Sequence, residues 1–111
     1  MTTSLSELND RYETIDALHR FAIGLDTKDS TLLKSAFSAD AIADFTPAAT
    51  KVGMEFPVLT GRESIVSALS QFLSNYTTSH TVSNARAQVK GDTASLYALV
   101  EAQHVPLSDR S

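Results

Sequence analysis

Cysteine is absent from this chain of 111 residues. Disulfides, thiolate metal sites and a cysteine nucleophile are therefore excluded. No apolar run approaches the roughly 18–20 residues needed to cross a bilayer, so no membrane partner is expected. The opening stretch, Met1-Thr2-Thr3-Ser4-Leu5-Ser6-Glu7, has no basic region followed by an apolar one. It does not read as a signal peptide, and a cytoplasmic location is expected. Lys and Arg are scattered and the net charge is -4. A basic footprint for nucleic acid is thus lacking, and no nucleic-acid partner is expected. Internal repeats and low-complexity runs are also missing.

What is present suits one globular domain over residues 1–111. Apolar residues make up 42% of the chain, close to the usual globular share. The length allows one modest core and not two.

From about Ser4 to Leu25 the apolar residues Leu5, Leu8, Tyr12, Ile15, Leu18, Ala22 and Leu25 recur at steps of three and four. That is the period of an amphipathic helix. Ser4 and Glu7 have the spacing of a capping box. Gly24 weakens the last turn, where a bend or stop is expected. Asp29-Ser30 can cap a short second helix running through Phe37. Ala41 to Phe45 reads as a short strand ended by Pro47. Residues 48–59 lack a period and read as a loop over a pocket. Thr60-Gly61-Arg62-Glu63 is a second capping box, opening a helix with Ile65, Leu69, Phe72, Leu73 and Tyr76 on one face.

After Tyr76 the period changes to two. Ser79 to Val89 and Thr93 to Val105 read as strands joined by a tight turn at Lys90-Gly91-Asp92. On the second strand Leu96, Ala98, Val100, Ala102 and His104 share one face. Tyr97, Leu99, Glu101 and Gln103 share the other, which reads as an outer or interfacial surface. Residues 107–111 are polar and expected to be structureless. Helices ahead of antiparallel strands argue for an α+β fold.

Three residues far apart in the chain make a workable acid–base set: Asp26, His80 and His104. A carboxylate can orient an imidazole, and imidazoles move protons near neutral pH. Strand alternation turns His104 inward, where a titratable group is costly unless paired, and Asp26 is a partner of the right charge. His19 lies off the apolar face of the first helix and reads as a boundary residue. Asp44 points either to a pocket or to solvent. Two histidines and an aspartate also make up a facial metal triad, but the usual ligand spacings are missing, and no metal is expected. Phe21, Leu25, Phe45, Met54, Phe56, Leu69 and Phe72 are the candidate pocket lining, and by spacing they are first of all core.

Asp26-Thr27-Lys28-Asp29, Ser79-His80-Thr81 and Gln103-His104-Val105-Pro106, in this order, resemble the SnoaL-like branch of the nuclear transport factor 2-like superfamily. The likeness runs from about Glu7 to Pro106, and the motifs are most similar to those of the scytalone dehydratases. The resemblance implies a cone-shaped α+β barrel, with N-terminal helices packed on a curved antiparallel sheet around an apolar pocket. It implies a proton-shuttling His80, with Asp26 and His104 orienting it or the substrate. Leu25 and Phe45 stand where those dehydratases carry tyrosines, which points to the same base with a different substrate or reaction. Members of the family usually continue with one or two further strands, so the expectation is either a C-terminally incomplete sheet or a missing edge supplied by another chain.

The function expected from these readings is a cofactor-independent lyase or isomerase of the dehydratase kind. Its partner would be a small apolar or aromatic molecule, cyclic or polyketide-like, and the protein a homo-oligomer, dimer or trimer. The alternative is a non-catalytic ligand-binding or oligomerisation module on the same fold.

Overall fold

The computed structural model describes residues 4–109. The expectations placed on Met1 to Thr3 and on Arg110 and Ser111 lie outside these residues.

Helix α1 spans Leu5–Thr27, and Ser4 Oγ accepts from the Glu7 amide at 3.1 Å. Its first half reaches past the body of the protein, leaving Leu5 and Tyr12 exposed despite their helical period. The helix does not stop at Gly24. It runs on to a cap at Lys28, whose φ of 57° is left-handed. Gly24 has a different purpose. A Cβ built there would sit 2.8 Å from the Leu33 backbone, so the missing side chain lets α1 and α2 touch.

Helix α2 is Ser30–Ser35, shorter than expected, and Asp29 caps it by accepting from the Leu32 amide at 3.0 Å. Strand β1 shrinks to Ile42–Ala43 and pairs antiparallel with a strand the sequence did not announce, β2, Leu59–Thr60. The stretch read as a loop holds a further helix, α3, Thr46–Lys51. Pro47 is not what ends the strand, which stops at Ala43; it stands in the first turn of α3, where its missing N–H costs nothing. The second capping box does not form. Thr60 is taken up in β2, and Gly61 at φ 90° stands at the start of α4, Arg62–Phe72. The Gly61 and Arg62 amides donate instead to the Ala41 and Ala39 carbonyls at 2.7 and 3.1 Å.

Strands β3, Tyr76–Lys90, and β4, Thr93–Pro106, form a long antiparallel hairpin turning at Gly91. Strand β3 begins three residues before its expected start, and Leu107–Asp109 is a 3-10 turn where no structure was expected. Among the described residues the strands make two separate two-stranded sheets. The hairpin is about 46 Å long by strand rise, a large part of the 54 Å long axis.

The core lies between α1, α2, α4 and the short sheet. Leu25, Leu33, Ala43, Ile65, Val66, Leu69 and Leu73 are buried in it. Phe21, Phe37, Phe45 and Tyr76 pack around its edge.

Strand β3 changes phase once. Before Ser83 its even residues Thr78, His80 and Val82 pair with His104, Ala102 and Val100. A bulge follows, with Asn84 at φ 55°, a conformation that Asn tolerates better than most residues. Beyond it the odd residues Ala87 and Val89 pair with Leu96 and Ala94. Parity on β4 is thus unbroken, while β3 slips by one. The same side of the hairpin is polar near His80 and apolar beyond the bulge.

Candidate functional site

Asp26 leaves α1 one residue after Leu25, a rotation of about 100°. Leu25 therefore enters the core while Asp26 faces β3. Its carboxylate receives three hydrogen bonds. Oδ1 accepts from the Thr78 hydroxyl at 2.9 Å and from His80 Nδ1 at 2.6 Å. Oδ2 accepts from the His80 backbone amide at 2.8 Å. Burial pushes the Asp26 pKa up, but the hydrogen bonds from the His80 imidazole and amide and from Thr78 outweigh it, and the net shift is downward. An ionised carboxylate only accepts, so Nδ1 carries the proton and Nε2 keeps its lone pair in the neutral ring. The His80 side chain is 9% exposed and that of Asp26 25%.

The rest of the Asp26-Thr27-Lys28-Asp29 motif is structural. Thr27 donates back to the Ile23 carbonyl at 2.7 Å. Lys28 Nζ donates to the Leu73 and Ser74 carbonyls at 3.1 and 3.3 Å, tying the end of α1 to the end of α4. Asp29 caps α2.

His104 shares its face with His80, and the two rings meet edge to face at 5.8 Å. Inward burial is not what it finds. His104 and Ala102 are exposed, because α1 lies chiefly over β3 and leaves this part of β4 uncovered. The ring contacts continue. Tyr76 meets His104 at 5.9 Å and stacks with Phe72 at 6.1 Å. Phe72 meets Phe56 at 6.1 Å, and Phe56 meets Phe45 at 5.8 Å. Six rings thus form one file from Phe45 to His80. The two edge-to-face pairs between phenylalanines are worth about 0.5–1.5 kcal/mol each beyond their buried area.

Of the seven expected lining residues, Phe45, Phe56 and Phe72 stand in this file. Leu25 and Leu69 are core residues. They also line a separate cavity of about 280 Å³ with Gly24, Lys28, Leu33 and Leu73, which neither histidine touches. Phe21 pairs with Phe37 at 5.8 Å, away from the file. Met54 is exposed. Asp44 faces solvent, and hydrogen bonds from the Thr46 side chain and from the Thr46 amide, the latter to Oδ1 at 2.9 Å, lower its pKa. His19, Glu101 and Gln103 are exposed. Among the described residues no cluster of three His, Cys, Asp or Glu side chains is placed to hold a metal ion. None of the described helices is long and apolar enough to cross a membrane.

Two site residues escape the sequence reading, Thr78 and Tyr76. Both share parity with His80 on β3, so alternation counted back from His80 finds them. Assigning Tyr76 to the preceding helix hid that signal.

Helices packed against antiparallel strands, with a helix-end carboxylate hydrogen-bonded to a strand histidine, make an α+β frame of the cystatin-like kind. The chain belongs to the SnoaL-like domain family, whose model matches residues 6–111. Three solved structures show the same fold. A Kribbella flavida protein is 25% identical with a TM-score of 0.75, over 90% of this chain and 67% of its own. A candidate scytalone dehydratase from Novosphingobium aromaticivorans is 22% identical with a TM-score of 0.71, over 90% and 63%. A cystatin-like-fold protein of unknown function from Nostoc punctiforme is 20% identical with a TM-score of 0.69, over 98% and 73%. The chain thus spans about two thirds of the length of these relatives. No curated protein matches it in sequence.

Proposed function

We propose that the protein is a lyase or isomerase of the dehydratase kind, moving a proton on a flat, largely apolar cyclic substrate. One observation carries this reading: Asp26 holds His80 by both its amide and its Nδ1, at 2.8 and 2.6 Å. That fixes the tautomer and leaves Nε2 as a base beside the file of rings. The likeness to a candidate scytalone dehydratase supports the same class. His80 Nε2 takes a proton from a carbon next to a carbonyl. It returns that proton to a hydroxyl leaving from the neighbouring carbon. A carbon–carbon double bond forms, water departs, and the imidazole ends as it began. His104 hydrogen-bonds the substrate oxygen. The chemistry asks for no cofactor. Positioned acid–base catalysis of this kind contributes about a hundred- to ten-thousandfold in rate.

A panel of cyclic β-hydroxy ketones tests the proposal, with loss of water read as the rise of enone absorbance. His80→Ala is expected to abolish turnover while leaving the thermal melt cooperative. Undiminished turnover in that variant would refute His80 as the base.

A further inference from the structure

We infer that Tyr76 donates a hydrogen bond to the substrate oxygen and shares with His104 the negative charge that develops there. The inference rests on the proton-transfer reading above and extends it to the group that receives the charge. Hydrogen-bond bookkeeping carries it. Removing a proton beside a carbonyl places an anion on oxygen, and that anion needs donors already in position. The Asp26 carboxylate consumes the Thr78 hydroxyl, the His80 amide and His80 Nδ1. His80 Nε2 is occupied as the base.

Beside His104, the file of rings offers one further donor, the Tyr76 hydroxyl. The chain has three tyrosines, and the other two, Tyr12 and Tyr97, are exposed well away from the dyad. Tyr76 stands on the same strand face as Thr78 and His80. Its ring is braced by Phe72 on one side and by the edge of His104 on another, and it packs against the core. A ring so held keeps its hydroxyl in place without ordering cost at the moment of reaction. Among the described residues that hydroxyl has no hydrogen-bond partner. A half-buried phenol at the join between the two imidazoles and the apolar rings is suited to one class of ligand. That class is a flat ring with an oxygen at its edge that carries charge as a phenolate or enolate.

The test is binding, so it needs no substrate. p-Nitrophenolate serves as the anion probe, followed by its absorbance, and nitrobenzene serves as the same ring without the oxygen. Tyr76→Phe keeps the ring and removes the donor. It is expected to weaken p-nitrophenolate about ten- to hundredfold and to leave nitrobenzene unchanged. Equal phenolate affinity in wild type and variant would overturn the role of Tyr76, as would a parallel loss of nitrobenzene or no saturable phenolate binding to the wild type. Phenolate binding involves no proton transfer from carbon, so the titration does not depend on His80 acting as a base. The base therefore stands or falls on enone formation, and the donor on phenolate affinity.

Discussion

Asp26→Asn separates the charge of the dyad from its shape. The amide has one oxygen and one NH₂ where the carboxylate has two acceptors. The His80 backbone N–H can only donate, so the amide oxygen must take the place of Oδ2, which now accepts it at 2.8 Å. The NH₂ then falls where Oδ1 meets Thr78 and His80 Nδ1 at 2.9 and 2.6 Å. Both of those partners can reverse polarity. A hydroxyl turns to accept, and an imidazole changes tautomer. All three contacts survive, so stability is expected to fall by only about 1 kcal/mol, the difference between charge-assisted and neutral bonds. The base does not survive, because its proton moves to Nε2. Where a buried carboxylate sets the tautomer of an imidazole base, its amide variant costs on the order of ten-thousandfold in turnover. Nitrogen-15 spectra of the His80 ring in mildly alkaline buffer read the tautomer directly, and urea unfolding reads the stability. If the variant kept the proton on Nδ1, or turned over substrate within tenfold of wild type, the orientation argument would be refuted.

Gly24→Ala ordinarily stabilises a helix by about 0.5–1 kcal/mol. Here the new Cβ meets Leu33 backbone atoms at 2.8 Å, so a net loss of about 1–3 kcal/mol is expected, and a raised urea midpoint would contradict the close approach. Thr78→Val removes one of the three bonds to Asp26 and is expected to cost about 1 kcal/mol in stability. The imidazole stays aligned, so turnover should drop less than tenfold; a loss as deep as that of His80→Ala would show that Thr78 does more than brace the carboxylate. Asp26 has a folded-state pKa below its usual value, so its contribution is complete above the unfolded value and is lost as pH falls through the folded one. Stability should therefore decline below about pH 4, and Asp26→Asn should flatten that part of the profile in urea titrations between about pH 2 and 5.

Much of the fold was readable because it rests on local periodicity. The 3.6-residue period of α1, the Asp29 cap and the two-residue period of the hairpin come straight from neighbouring side chains. What escaped depends on competition or distance. Thr60 suits a helix cap as well as a strand, and pairing with Ile42 decides between them. Pro47 suits a strand end as well as a helix start, which hid α3. Gly24 reads as a weak turn until Leu33 is brought against it. For the site, alternation put His104 on the face of His80, yet it says nothing about what covers that face. Thr78 and Tyr76 were lost through one boundary, since Tyr76 completes a helical stripe as readily as it begins a strand.

The grip of Asp26 on a single residue at two atoms has a mechanical side. A carboxylate bound to an imidazole alone would let the ring swivel as the strand slides. With the amide held too, the position of the strand and the attitude of the ring become one degree of freedom. The spacing between α1 and β3 then acts as a gauge for the reactive nitrogen. A substitution anywhere along that contact should register at Nε2 before it registers in the melting curve.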